Sequence, residues 1–199
     1  MIESSGDRPY HHGNLRVALL EAAESRLAQS GVEAITLRDL AREIGVSHAA
    51  PRRHFAGRQA LLDALAISGF TRLDADLHRA MAATAGDFPS RLRAVAATYT
   101  RFATENASLL ELMYASKHRP GAEGIVEAAE KPFSMLFELM RQGQSEGALS
   151  SEDPTDIATV LFATLQGIAT MINGGFVPSA QLQVLTDTAV TQFLRGARP

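Results

Sequence analysis

Five basic side chains, His48, Arg52, Arg53, His54 and Arg58, fall in a window from Ile44 to Leu62 that contains no acidic residue. An arginine guanidinium is a planar fork of N–H donors. It can clasp guanine O6 and N7 through two hydrogen bonds, or bridge phosphate oxygens. Between the basic residues lie Ala49 and Ala50, small enough to allow close approach to a groove floor, and an alanine methyl can meet the methyl of thymine. The window therefore has the chemistry of a surface that reads nucleic acid. An arginine pair alone is as easily a solvated face, so the elements that hold it decide between the two.

Those elements can be read from the spacing. Thr36 followed by Asp39 is a capping-box pattern, opening a helix with Leu37, Leu40, Ala41 and Ile44 on one face. Gly45 suits a turn at positive φ, and Ser47 is a good N-cap for a second helix running to about Phe55. Two short helices across a Gly-containing turn form a helix-turn-helix, whose second helix enters the DNA major groove. At about 100° per residue, Pro51 and Phe55 share the inward face. The outward face is then centred on Ala49 and Arg53, flanked by His48 and Arg52 on one side and Ala50 and His54 on the other. His48, Ala49, Arg52 and Arg53 are the expected base-reading residues, with Arg53 best placed. Pro51 lies near the helix start, where a missing N–H costs least.

The run resembles the DNA-binding domain of TetR-type transcriptional repressors. That pattern has a Ser-capped recognition helix ending in His/Tyr-Phe, then a basic residue and a Leu-rich long helix. The matching positions are Ser47, His54, Phe55, Arg58, Leu61 and Leu62. YHHGNL at 10–15 and VSHAAP at 46–51 are similar to a subgroup whose C-terminal domain carries a Trp-His-Gly signature; Phe162 and Gln166 stand before Gly167 here. The family's usual Tyr inside the recognition helix is Arg52. The resemblance implies phosphate contacts from Thr36, Ser47, His54 and Arg58; Arg8 in the flexible arm at 1–9 and the His11–His12 pair just after it could also follow the backbone. It also implies a homodimer, a palindromic operator of double-stranded DNA and repression.

Charge is distributed to match. The chain of 199 residues has a formal net charge of −3, yet residues 8–58 carry eight Arg against five acids. A basic N-terminal quarter on an acidic remainder is expected of a DNA-reading domain joined to one that does not touch DNA. With no Cys there is no disulfide framework, and the N-terminus lacks the apolar run of a signal peptide. The apolar stretch from Ile157 to Ile172 is short for a bilayer span and is interrupted by Thr and Gln. A soluble, cytoplasmic protein is expected.

Periodicity and caps predict an all-α chain. Further helices fall at about 14–30, with Leu15, Ala18, Leu19, Ala22 and Leu27 inward and Gly31 as its stop, and at 58–82, 89–105, 107–117, 122–147, 154–173 and 179–195. Pro132 should kink or split the 122–147 segment. The expected organisation is an arm at 1–9, a helix-turn-helix domain at 10–58 and a helical effector-binding and dimerisation domain at 59–199. The 154–173 helix is apolar nearly all round, so one side should meet its own domain and another a partner. Val160, Leu161, Leu165 and Ile168, with Leu185, Ala189 and Phe193 of the last helix, are the expected four-helix interface.

Phe102, Leu109, Met113, Tyr114, Phe133, Phe137, Met140, Phe162 and Gln166 are the candidate effector pocket. Most Met and aromatic residues at helical spacing are plain core, but Met adapts to apolar ligands, and Tyr114 and Gln166 could anchor one. Few charges lie on these stripes, which suggests an uncharged or weakly polar hydrophobic ligand. No cofactor or metal site is expected: His11 and His12 lie at the start of the chain, His48 and His54 sit six apart, and His78 and His118 have no partner at ligand spacing except Asp74, four residues before His78. No phosphate loop or nucleophile elbow is present in the sequence. The rival readings are a DNA-binding regulator with no effector and an all-α enzyme with an incidental basic hairpin.

Overall fold

The computed structural model describes residues 12–198, with side chains from Leu15 onward. Among the described residues every regular element is helical, and the chain divides into two compact units after Leu65.

The first unit contains α1 (His12–Ser30), α2 (Leu37–Glu43) and the opening turns of α3 (Arg58–Ala83). Leu15, Leu19, Ala23 and Leu27 recur every four residues along α1 and are buried. Ala18 and Ala22, expected in that stripe, lie at its half-buried edge. Gly31, at φ 76°, ends α1 and donates its N–H to Leu27 O at 3.0 Å. In α2 the N-cap half of the capping box forms: Thr36 Oγ1 accepts from Asp39 N at 3.1 Å, and the Asp39 carboxylate accepts from the Thr36 hydroxyl at 2.7 Å. The end of α2 is a Schellman motif, with Val46 N donating to Ala41 O, Gly45 N to Arg42 O, and Gly45 at φ 74°. Leu61, Leu62 and Leu65 of α3 join Ile35, Leu40, Ala41 and Phe55 in this core.

One element differs from expectation. The segment after Ser47 is not an α-helix but a turn leading into a single 3₁₀ turn at Pro51–Arg53. Pro51 is the fourth residue after Ser47, the position whose N–H would make the first α-helical bond to the Ser47 carbonyl. Proline has no such donor. The Ser47 carbonyl instead accepts from Ala50 N at 3.0 Å, and Ala50 O accepts from Arg53 N at 3.2 Å. The tighter pattern continues until Phe55 N reaches Pro51 O.

The second unit holds the rest of α3 with α4 (Phe88–Glu105), α5 (Ala107–Ser116), α6 (Glu123–Ser145), α7 (Pro154–Asn173) and α8 (Leu182–Gly196). Asp87 and Asp153 cap α4 and α7 through Ser90 N and Thr155 N, each with Pro in the first turn. Central α4 packs on α5, α6, α7 and α8. A buried hydrogen bond from Thr186 Oγ1 to Thr100 Oγ1, 3.1 Å, ties α8 to α4. Pro132 does not split α6, which runs through it unbroken with the ring buried, so only one backbone bond is forfeited. By length and composition α7 could cross a membrane, at mean hydropathy 1.4. Here it packs on α4, α6 and α8, burying Ile157, Leu161, Leu165, Ala169 and Ile172.

Candidate nucleic-acid interface and interior cavity

In the first unit, Pro51 and Phe55 are buried and anchor the segment between α2 and α3. His48, Ala49, Arg52 and Arg53 are exposed in front of them, and His54 is half-buried. Arg16 of α1 stacks over the outer side of Phe55, 5.4 Å from the ring centroid. A 3₁₀ turn advances about 120° per residue. Measured from inward-facing Pro51, Arg52 and Arg53 then diverge to opposite sides of the outward direction. The preference for Arg53 over Arg52, which assumed α-helical spacing, has no geometric basis here; the two guanidiniums are equivalent candidates for a base edge.

The residues expected at phosphate separate into two groups. Ser47 is exposed, and the observed turn uses its backbone carbonyl. Thr36 commits its hydroxyl to capping α2. That hydroxyl, ahead of the nearby Arg42, Arg26 and Arg38, holds the Asp39 carboxyl below its ordinary value. Arg58 is turned inward: Nε donates to Ile35 O at 2.8 Å and Nη2 to Val32 O at 2.6 Å, with Glu33 at 3.5 Å. It fastens the α1–α2 connection to the start of α3, a structural role that its basic character in the sequence did not suggest. Arg8, His11, the His12 side chain and the arm at 1–9 lie outside the described residues.

The second unit holds a partly open cavity of about 40 Å³. Its walls are Phe70, Leu73 and Leu77 of α3, Leu92, Val95, Ala96 and Tyr99 of α4, Tyr114 of α5, Pro132, Phe133 and Leu136 of α6, and Leu161, Phe162 and Leu165 of α7. Phe162 is the hub, with ring centroids 5.0 Å from Phe133, 5.5 Å from Tyr99 and 6.5 Å from Tyr114. Tyr99 Oη lies 3.2 Å from Tyr114 Oη and donates to Gln166 Oε1. Burial, then the neighbouring Tyr114, raises the Tyr99 phenol far above its ordinary value, and burial raises Tyr114, so both hydroxyls stay neutral.

Of the candidate pocket residues, Tyr114, Phe133 and Phe162 line this cavity and Gln166 closes its polar edge through Tyr99. Phe102, Leu109, Met113 and Met140 are close-packed core instead, Phe102 lying beneath the Arg72 guanidinium. Phe137 is half-buried away from the lining. Tyr99 and the α3 residues were overlooked. The signal available was the apolar spacing Phe70, Leu73, Leu77 continuing past the first unit.

Leu161 and Leu165, expected at a dimer interface, are buried in their own domain and line the cavity. Ile168, Leu185, Ala189 and Phe193 are half-buried. The apolar surface left open on α7 and α8 includes Val160 and Val184, 63% and 65% exposed, with Met171, and Phe176 in the connection between the two helices is 83% exposed. Between Val160 and Met171 the outward positions are small: Ala163, Thr164 and Gly167. Among the described residues no cluster of three or more His, Asp or Glu could hold a metal ion, and His78 Nδ1 meets Asp74 on the same face of α3 at 3.3 Å.

Residues 19–65 match the family described as bacterial regulatory proteins, tetR family, and residues 92–193 match the tetracyclin repressor-like C-terminal domain. A protein of unknown function from Rhodococcus sp. RHA1 has a similar structure (TM-score 0.91) at 45% identity over 97% of this chain and 100% of that one. A regulatory protein in the tetR family from Rhodococcus RHA1 matches at TM-score 0.71 and 18% identity, covering 92% of this chain and 96% of its own. A transcriptional regulator of the TetR/AcrR family from Thermobifida fusca YX-ER1 does so at TM-score 0.71 and 23% identity, over 94% and 100%. The last two likenesses concern the fold. No curated protein matches the chain.

Proposed function

Because this chain belongs to the TetR family of bacterial transcription regulators, we propose that it is a homodimeric repressor that binds a palindromic operator and is released by a small-molecule effector. The DNA-binding, non-enzymatic character comes with the family. The observation that carries the rest is the acid-free segment at 44–62, exposing His48, Ala49, Arg52 and Arg53 on a buried Pro51–Phe55 footing. One such segment reads only a few base pairs; two, related by a dyad, read a palindrome. The open apolar stripe of Val160, Met171 and Val184 supports pairing through α7 and α8. Its place of action would be the cytoplasm, where its DNA partner lies.

Release requires a ligand with different affinities for the DNA-competent and incompetent conformations. The apolar cavity with a polar edge supports that reading. Its volume of about 40 Å³ favours a second one, a constitutive regulator, since ligand sites usually reach about 300 Å³ or more. An effector would have to open the space around Phe162. Selecting bound DNA from a random pool tests the main proposal. An inverted repeat is expected, and recovery of unrelated sequences at equal affinity would overturn it.

A further inference from the structure

Resting on the reading of the cavity as an effector site, we infer that it takes an amphipathic monoanion, a single carboxylate on an apolar body, with the acid group held by Lys117. The walls are hydrocarbon and aromatic ring, and no Asp or Glu is among them. Lys117 caps the end of α5, and its ammonium lies 5.4 Å from the Tyr114 centroid and 5.7 Å from that of Phe133. Both rings line the cavity, while Lys117 stands outside the lining, so a carboxylate would meet it at the rim beside those rings. The side chain is half-buried, and among the described residues it makes no ion pair. His118 and Arg119 follow it, so the local sequence adds no negative charge.

An ammonium over two aromatic faces is stabilised by their quadrupoles while leaving N–H donors for another acceptor. A carboxylate entering beside Tyr114 and Phe133 would form a charge-assisted hydrogen bond there, in surroundings drier than bulk water. A neutral amide would accept a weaker hydrogen bond there through its carbonyl, without the charge attraction, and a cationic ligand would meet like charge. The polar group inside, the Tyr99–Tyr114–Gln166 chain, is neutral and already hydrogen-bonded internally. Among the described residues Lys117 is the cation stacked over these lining rings, and it selects anions in place of the uncharged ligand that composition suggests.

Matched pairs test this with the full chain by calorimetric titration: octanoate against octanamide, and 4-butylbenzoate against 4-butylbenzamide. Each acid should bind on the order of tenfold more tightly than its amide. Lys117→Met should erase that preference by weakening the acid far more than the amide, and Lys117→Arg should retain it. Equal binding of acid and amide by the wild type, or a preference that survives Lys117→Met, overturns the Lys117 assignment but leaves the cavity a receptor. If neither member of either pair binds, the effector reading of the cavity fails, and this inference with it.

Discussion

Gly167 tests the proposed dimer quantitatively. It lies within α7 on the open stripe with Val160, Thr164 and Met171, and a β-carbon built there meets no atom within 4 Å. In a single chain Gly167→Ala should thus gain helix propensity without obstruction, about 0.8–1 kcal/mol. Dimerisation reverses the sign. If two α7 helices cross closely at this glycine, the new methyl enters a packed contact, and overpacking costs about 1–3 kcal/mol at each of two symmetry-related sites. The propensity gain is common to monomer and dimer and cancels from the dissociation equilibrium. Association should weaken by about 2–6 kcal/mol, a ~30-fold or larger rise in dissociation constant. Sedimentation across a dilution series reads that shift, and thermal unfolding at the lowest concentration should show a higher midpoint for the variant. Gly143→Ala is the contrasting change, because its β-carbon would lie 2.6 Å from the Phe88 ring and 2.9 Å from Leu149. It should destabilise the second unit without altering association. A Gly167→Ala protein that dissociates like wild type refutes close α7 crossing, and a wild type already monomeric at micromolar concentration refutes the dimer.

Arg52→Ala and Arg53→Ala, each tested by binding-site selection, should relax one base position per half-site wherever the guanidinium reads a base, at ~1–3 kcal/mol. Uniform weakening with unchanged preferences for both variants would show that neither reads sequence. Arg58→Ala removes its bonds to Val32 O and Ile35 O and should lower the stability of the first unit by about 1–3 kcal/mol. Unchanged denaturant midpoints, with a salt slope of DNA binding reduced by about one, would restore it to phosphate contact. Asp39, Asp87 and Asp153 have carboxyls held below the ordinary 3.8 by their cap hydrogen bonds. A depressed folded-state value stabilises above the unfolded value, so this contribution should fade as pH falls through about 4 and below. Asp87→Asn and Asp153→Asn keep a capping acceptor without the titration. Urea midpoints followed from pH 5 to about 3 should fall less steeply for them; parallel curves would contradict the assignment.

Local chemistry made most elements legible. Thr36–Asp39, Gly31, Gly45 and the Asp-Pro pair at 153–154 act within a few residues of themselves, so helix ends could be placed before any tertiary contact was known. The inward direction of Pro51 and Phe55, and hence the outward one of the basic cluster, followed from periodicity, which survives the change from α to 3₁₀ spacing. The relative standing of Arg52 and Arg53 did not survive, because one absent N–H at Pro51 changed the angle per residue. Arg58 shows a different limit: a basic side chain at a helix start can serve DNA or a neighbouring carbonyl, and only the approach of Val32 and Ile35 decided for the carbonyls. The cavity depended most on tertiary structure. An apolar stripe determines that a residue is buried, not what it is buried against. Met113 and Tyr114 are adjacent, yet one fills the core and the other faces the space around Phe162. Leu161 and Leu165 look equally suited to a partner chain, and turned inward because α4 and α6 cover that side of α7. The sequence by itself determined the family and most helices with their caps, but not the 3₁₀ turn that replaces an α-helix after Ser47. Packing of α6 on its neighbours decided that Phe133 joins Tyr114 beneath Lys117, since that contact joins residues far apart in the chain.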